Sequence, residues 1–88
     1  LKKQLIGLKM TLKRINKAIQ KYELEIIKGA GYHYFLDLKT RDQIGDHVYV
    51  MYLKDLSIKE WIEEARDARR EFNEMYNEYV LESEENYV

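Results

Sequence analysis

The stretch LKKQLIGLKMTLKRINKAIQKYELEI, residues 1–26, places apolar side chains at alternating intervals of four and three residues. Its members are Leu1, Leu5, Leu8, Leu12, Ile15, Ile19, Tyr22 and Ile26. Such spacing keeps side chains on one narrow stripe of an α-helix, the stripe that a partner helix covers. We therefore predict a long first helix over residues 2–28, which the glycines of Gly29-Ala30-Gly31 end.

A second stripe with the same alternation follows later in the chain. Its members are Ile58, Trp61, Ala65, Ala68, Phe72, Met75 and Tyr79. Ser57 and Glu60 stand where the two side chains of a capping box stand, so the second helix is predicted to begin at Ile58. The stripe is lost after position 81, which predicts a helix over residues 58–81 and a frayed tail over residues 82–88.

The middle of the chain has the composition of a β-hairpin. Residues 32–39 and 47–53 are rich in aromatic and β-branched side chains and flank a polar loop. With Lys39 opposite His47, the face predicted to enter the core carries Tyr32, Tyr34, Leu36, Leu38, Val48, Val50 and Tyr52. The predicted fold is α+β and mostly α. It is one domain over residues 1–88, with two long antiparallel heptad-patterned helices joined by a β-hairpin.

Composition narrows the class of protein. A chain of 88 residues makes one small domain, and it has no cysteine, which fits a reducing compartment and removes thiolate metal sites. No apolar run approaches the ~20 residues that span a bilayer, so we expect a soluble, cytoplasmic protein. The lack of proline and the abundance of Lys, Glu and Ile resemble thermophile usage. The chain begins with Leu rather than Met, which indicates a trimmed start or a piece of a longer product.

A domain of this size buries only somewhat more than ~60% of its unfolded surface, and oligomerisation is the remaining way to add stability. Two apolar stripes in one chain predict a homo-oligomer, a dimer or a tetramer built as a four-helix arrangement. The residues predicted to form the oligomer seam are Leu5, Leu8, Leu12, Ile15, Ile19, Ile58, Trp61, Ala65, Ala68 and Phe72.

Charge is divided between the two ends. Residues 1–28 carry a net charge of +6 and residues 57–88 carry −6, although the whole chain has only −1. A basic and an acidic helix attract each other, which favours contact within the chain or between copies. The alternative is that the basic helix binds an external polyanion, with hairpin aromatics stacking on single-stranded bases. The candidate nucleic-acid contacts are Lys9, Lys13, Arg14, Lys17 and Lys21.

Catalytic and metal-binding patterns are weak. His33 and His47 stand near several aspartates, but their spacing matches no familiar metal site, and aspartate is common in turns. No candidate nucleophile or phosphate-binding glycine loop accompanies them. A membrane-surface role is disfavoured because the apolar stripe is narrow. We predict that the chain is not an enzyme and carries no cofactor or metal.

Three stretches resemble a family of small helix–hairpin–helix proteins of unknown function from archaea, bacteria and their mobile elements. They are GYHYFL at residues 31–36, HVYV at residues 47–50 and RREFNE at residues 69–74. The family has a long charged helix, an aromatic-rich strand after a glycine, a second strand with a Val-Tyr-Val-like core and a charged helix. Its cysteine pair is absent here. The resemblance implies the helix–hairpin–helix order and an origin in an archaeal virus or plasmid.

The function predicted from the sequence is that of a small oligomeric protein–protein interaction or structural factor without catalytic activity. The alternative is a nucleic-acid-binding accessory protein that uses the basic first helix and the hairpin aromatics.

Overall fold

A computed structural model describes residues 9–87 of the chain, and the side chains as far as Tyr79. Two helices and a three-stranded antiparallel sheet make up this part. In chain order the elements are α1 (Leu12–Ile19), a 3-10 turn (Gln20–Tyr22), β1 (Leu24–Lys28), β2 (His33–Asp37), β3 (Gln43–Val48), a second 3-10 turn (Leu53–Asp55) and α2 (Ile58–Tyr87). The strands follow the order β1-β2-β3.

The prediction of a long first helix over residues 2–28 is wrong. α1 ends at Ile19, and Glu23 adopts a left-handed conformation with φ of 56°, which turns the chain into β1. Leu24 and Ile26 are both buried and lie two residues apart, as a strand requires. β1 pairs with β2 along its whole length, from Leu24 opposite Asp37 to Lys28 opposite His33. The fold of two long antiparallel helices joined by a hairpin is therefore replaced by one short helix, a sheet and one long helix.

The first strand of the predicted hairpin, residues 32–39, contains β2, but the second strand is displaced from the predicted residues 47–53. β3 occupies residues 43–48, most of which were predicted to be loop, and it pairs with β2 through Phe35 opposite Ile44 and His33 opposite Val48. The register shifts between these two pairs, which marks a bulge. Glycine and aspartate within β3 have loop-like propensities, which is why composition did not predict this strand.

The core lies on the face of the sheet opposite to the predicted one. His33, Phe35 and Asp37 point inward, whereas Tyr34 and Leu36 lie on the other face and are only half-buried. Both helices cover the inward face. The buried apolar residues are Ile15, Ile19, Leu24, Ile26, Phe35, Ile44, Trp61, Ala65 and Ala68.

Side-chain caps set the starts of both helices. The Ser57 hydroxyl accepts the N–H of Glu60 at 3.1 Å and the Glu60 carboxylate accepts the N–H of Ser57 at 3.0 Å, so the capping box predicted from the sequence is confirmed. These bonds to Ser57 lower the pKa of Glu60. The Thr11 hydroxyl caps α1 by accepting the N–H of Arg14. α2 continues to Tyr87, past the helix end that the sequence predicts near position 81.

An asparagine of α1 covers part of the outer edge of the sheet. β1 is one of the two edge strands of the described sheet, and the Asn16 side-chain oxygen accepts the N–H of Ile26 at 2.7 Å. This bond fixes α1 to β1 and satisfies a backbone donor on an edge strand.

One largely buried ion pair joins α2 to the turn between α1 and β1 and to the turn after β2. The Arg69 guanidinium donates to the Asp37 carboxylate at 2.8 Å, to the Tyr22 carbonyl at 2.9 Å and to the Glu23 carbonyl at 3.2 Å. The same carboxylate accepts the N–H of Lys39 and the N–H of Thr40 in the turn after β2. We call this set of bonds the Arg69–Asp37 clasp.

The clasp makes stability depend on pH. The Thr40 N–H, the Arg69 guanidinium and the Lys39 N–H lower the pKa of Asp37 from 3.8 to about 2, against the opposing effect of burial. A carboxyl whose pKa falls on folding stabilises the folded state above its unfolded pKa, and this contribution is lost as the pH falls towards the folded pKa. The pH window is therefore about 4 down to 2.

We expect Asp37→Asn to flatten the acid dependence of stability. Between pH 5 and pH 2 the wild-type chain should lose up to roughly 2 kcal/mol more free energy of unfolding than the variant, because only the wild type protonates this carboxyl. Urea titrations at several pH values measure the difference. Glu25→Gln is the control, since it removes the exposed partner of Arg41. Equal acid dependence in the Asp37→Asn and wild-type chains would contradict the clasp.

A glycine allows α2 to lie close against β3. Gly45 has φ of +78°, and a Cβ built on it would lie 2.8 Å from the Cβ of Ala68. Gly31 has a similar φ of +80° in the turn between β1 and β2, but no described atom lies within 4 Å of its added Cβ. The two glycines share a backbone requirement and differ in packing alone.

We expect Gly45→Ala to destabilise the chain more than Gly31→Ala does. Both variants carry the cost of a left-handed alanine, about 1–2 kcal/mol, and Gly45→Ala adds an overpacking cost of about 1–3 kcal/mol. Urea unfolding of the two variants gives the difference directly. Equal losses would mean that α2 shifts away from β3 at no cost.

Candidate interaction surfaces

The second half of α2 carries an exposed apolar stripe. Phe72, Met75, Tyr76 and Tyr79 are spaced to share one face of the helix, and 39%, 70%, 59% and 69% of their surfaces are accessible. The rings of Phe72 and Tyr76 stack with their centroids 6.5 Å apart. All residues from 71 to 79 are exposed. We call these four side chains the distal stripe.

The distal stripe continues the face that the first half of α2 buries. Trp61, Ala65 and Ala68 belong to the same three-four alternation and lie in the core of the chain itself. Trp61 is held there by its indole N–H, which donates to the Leu53 carbonyl at 2.8 Å. The same face of α2 is therefore buried as far as Ala68 and exposed to solvent from Phe72 onwards.

The predicted seam residues are divided between these two environments. Ile15, Ile19, Trp61, Ala65 and Ala68 are used inside the chain, Ile58 is half-buried, and Leu12 and Phe72 are just over a third exposed. Leu5 and Leu8 lie outside the described residues. The spacing placed Trp61, Ala65 and Ala68 on one helix face with Phe72, but it could not tell which part of that face the sheet of the same chain would cover.

The distal half of α2 is acidic. From residue 71 to the end of the chain the sequence has six glutamates and no lysine or arginine. The basic residues of α2 lie before this segment, at Lys59, Arg66, Arg69 and Arg70. Arg66 and Arg70 are exposed, whereas Arg69 belongs to the clasp.

Lysines form a separate stripe along α1 and its flanks. Lys9, Lys13, Lys17 and Lys21 follow one another at intervals of four residues, and all are exposed. Arg14, the remaining basic candidate, is half-buried. Within residues 9–79 none of these five side chains forms an ion pair, so the predicted contacts of basic first-helix residues with α2 acids do not occur inside the described part of the chain.

Aromatic side chains gather on the outer face of the sheet. The rings of Tyr32 and His47 stack with centroids 4.1 Å apart, and Tyr34 and Tyr49 each lie 5.9 Å from His47. α1 packs on the opposite face. The two features of the nucleic-acid hypothesis, lysines and aromatics, are therefore in different layers of the fold.

The histidine of β2 has a structural hydrogen-bond partner. His33 is buried and its Nδ1 donates to the Val50 carbonyl at 2.9 Å, which explains it as a structural side chain. Residues 9–79 contain no cluster of three His, Cys, Asp or Glu side chains that could hold a metal ion. Along the described helices we find none with the length and apolar character needed to cross a membrane.

The sequence did not predict a groove at the open end of the core, where the start of α1, the end of β1 and residues 51–54 meet. It is lined by parts of four segments, around Lys9, Lys28, His33 and residues 51–54. No spacing pattern links these segments, because they meet only through the sheet and its turns.

Comparison with known proteins gives no match, since no protein-family model, no curated protein and no solved structure is significantly similar to this chain.

Proposed function

We propose that this chain is a small self-associating protein–protein interaction or structural factor of the cytoplasm, without catalytic activity, and that the distal stripe of α2 is its contact surface. The observation that carries the proposal is that four large apolar side chains share one face of a helix and stay exposed. Contiguous exposed apolar patches mark interaction sites in folded proteins. The occupant we propose is a second copy of the chain.

Charge favours an antiparallel pair of α2 helices. In a parallel pair the acidic distal halves would lie side by side and repel each other. In an antiparallel pair whose distal stripes face each other, the glutamate-rich end of each α2 extends towards residues 66–70 of the other copy. Arg66 and Arg70 are exposed there, and within their own chain each pairs with Asp67.

We expect Met75→Lys to weaken self-association by at least tenfold, about 1.4 kcal/mol. A lysine there would bring a charge into the apolar contact, yet Met75 is 70% exposed in the single chain, so folding should be unchanged. Sedimentation equilibrium measures the association constant, and thermal unfolding at low concentration measures the fold.

Asn77→Lys is the matched control, because it adds the same charge to the same helix away from the distal stripe. The proposal fails if wild-type protein stays monomeric, or if both variants weaken association equally. Addition of salt should weaken the wild-type pair, since the antiparallel arrangement relies partly on charge.

The second candidate function is binding of a single-stranded nucleic acid along α1. The four-residue spacing and exposure of Lys9, Lys13, Lys17 and Lys21 favour it, because a regular row of cations suits a phosphate backbone. The aromatic cluster on the outer face of the sheet is not part of this site.

If α1 binds a single strand, Lys13→Gln with Lys17→Gln should lower affinity for a random oligonucleotide. The slope of log affinity against log salt should also fall, by about 0.7 for each phosphate that the variant no longer neutralises. Fluorescence anisotropy at several salt concentrations measures both quantities. Lys39→Gln is the control, since Lys39 lies in the turn after β2 and pairs with Glu23. Equal affinity and slope in all variants would exclude this function.

A further inference from the structure

The groove at the open end of the core has a volume of about 620 Å³, within the ~300–1,000 Å³ typical of small-ligand sites. It lies beside the start of α1, at the end of β1 and along the segment that leads from β3 to α2. Its apolar lining is formed by Met10, Leu12, Met51, Leu53 and the ring of Tyr52. Met51 and Tyr52 are more than half exposed, although both are large.

Hydrogen bonds fix one wall of the groove in the folded chain. The Val50 carbonyl accepts from His33, and the Leu53 carbonyl accepts from the Trp61 indole. The Asp55 carboxylate accepts the N–H of Tyr52 at 3.0 Å, which closes the short turn between them. The backbone that carries the apolar side chains of this segment is thus fixed without a ligand, as a preformed site requires.

The charged groups of the groove have one sign. Lys9, Lys28 and Lys54 line it, and none of the described residues in its lining carries a carboxylate. The ammonium of Lys54 lies 5.6 Å from the centre of the Tyr52 ring, which places this cation directly beside the apolar surface. The arrangement has two parts: an apolar floor for a hydrocarbon chain and several lysines for an anion.

We propose that this groove binds a single-chain amphiphile with an anionic head group, of the fatty-acid class. The hydrocarbon chain covers Met10, Leu12, Met51 and Leu53, and the head group lies among Lys9, Lys28 and Lys54. A polar anion alone would leave the apolar lining exposed, and a neutral apolar ligand would leave the lysines without an anionic counterpart. The amphiphile satisfies both, and this binding is independent of self-association through the distal stripe.

Dodecanoate, kept below its micelle concentration, is the first probe. We expect saturable binding at one site by calorimetry, with a change in Trp61 fluorescence, because the His33 ring lines the groove and lies 5.6 Å from the Trp61 ring. Dodecyltrimethylammonium has the same tail with a cationic head and should bind at least tenfold more weakly. Acetate, which has the head group alone, should not bind measurably.

Variants locate the site. Lys28→Gln with Lys54→Gln should weaken dodecanoate binding about tenfold or more, and Met51→Asp should abolish it, while Lys39→Gln should leave it unchanged. These side chains are exposed, so unfolding curves should stay close to wild type. Met75→Lys should also bind dodecanoate normally, which separates a failure here from a failure of the proposed function.

Three outcomes would overturn the proposal. The first is equal binding of the anionic and cationic amphiphiles, which indicates a general apolar affinity. The second is unchanged binding in the Lys28→Gln, Lys54→Gln variant. The third is no measurable binding of dodecanoate by the full chain.

Discussion

The bonds between Arg69 and Asp37 hold the layers of this fold in their relative positions. Arg69 belongs to α2, its carbonyl acceptors lie between α1 and β1, and Asp37 ends β2 while it organises the following turn. A buried charge without its partner is strongly unfavourable, so the pair constrains all these segments together. With α2 fixed in this way, its first half covers the sheet, and the rest extends past the core. The molecule is 64 Å long and only 27 Å and 19 Å across.

The sequence predicted the start of the second helix correctly, but it extended the first helix nine residues too far, and the difference has a physical reason. Ser57 and Glu60 give a local signal that no tertiary contact overrides. Spacing of four residues, as between Tyr22 and Ile26, suits a helix face, but an even spacing also suits one face of a strand. The left-handed conformation of Glu23 ends the helix and begins the strand. Glutamate rarely adopts this conformation, so nothing in the sequence indicated it.

The candidate surfaces differ in how much of each could be predicted from the sequence. The distal stripe could be predicted as apolar from its spacing, because it lies on one helix. Its exposure depends on where the sheet ends, and that required the strands to be placed correctly. The groove with Lys28 and Lys54 could not be predicted, because its members become neighbours only after three turns are formed. Predicting β1 as helix also placed Lys28 at the end of a helix rather than beside His33.

The bond from Asn16 to the N–H of Ile26 has a consequence for how copies of the chain can meet. A sheet that offers a free edge invites another strand to join it, and repeated joining leads to fibres. Here an amide side chain occupies a donor of that edge strand, so a backbone from another molecule would have to displace it first. The bond therefore disfavours open-ended strand addition at the β1 edge of the sheet.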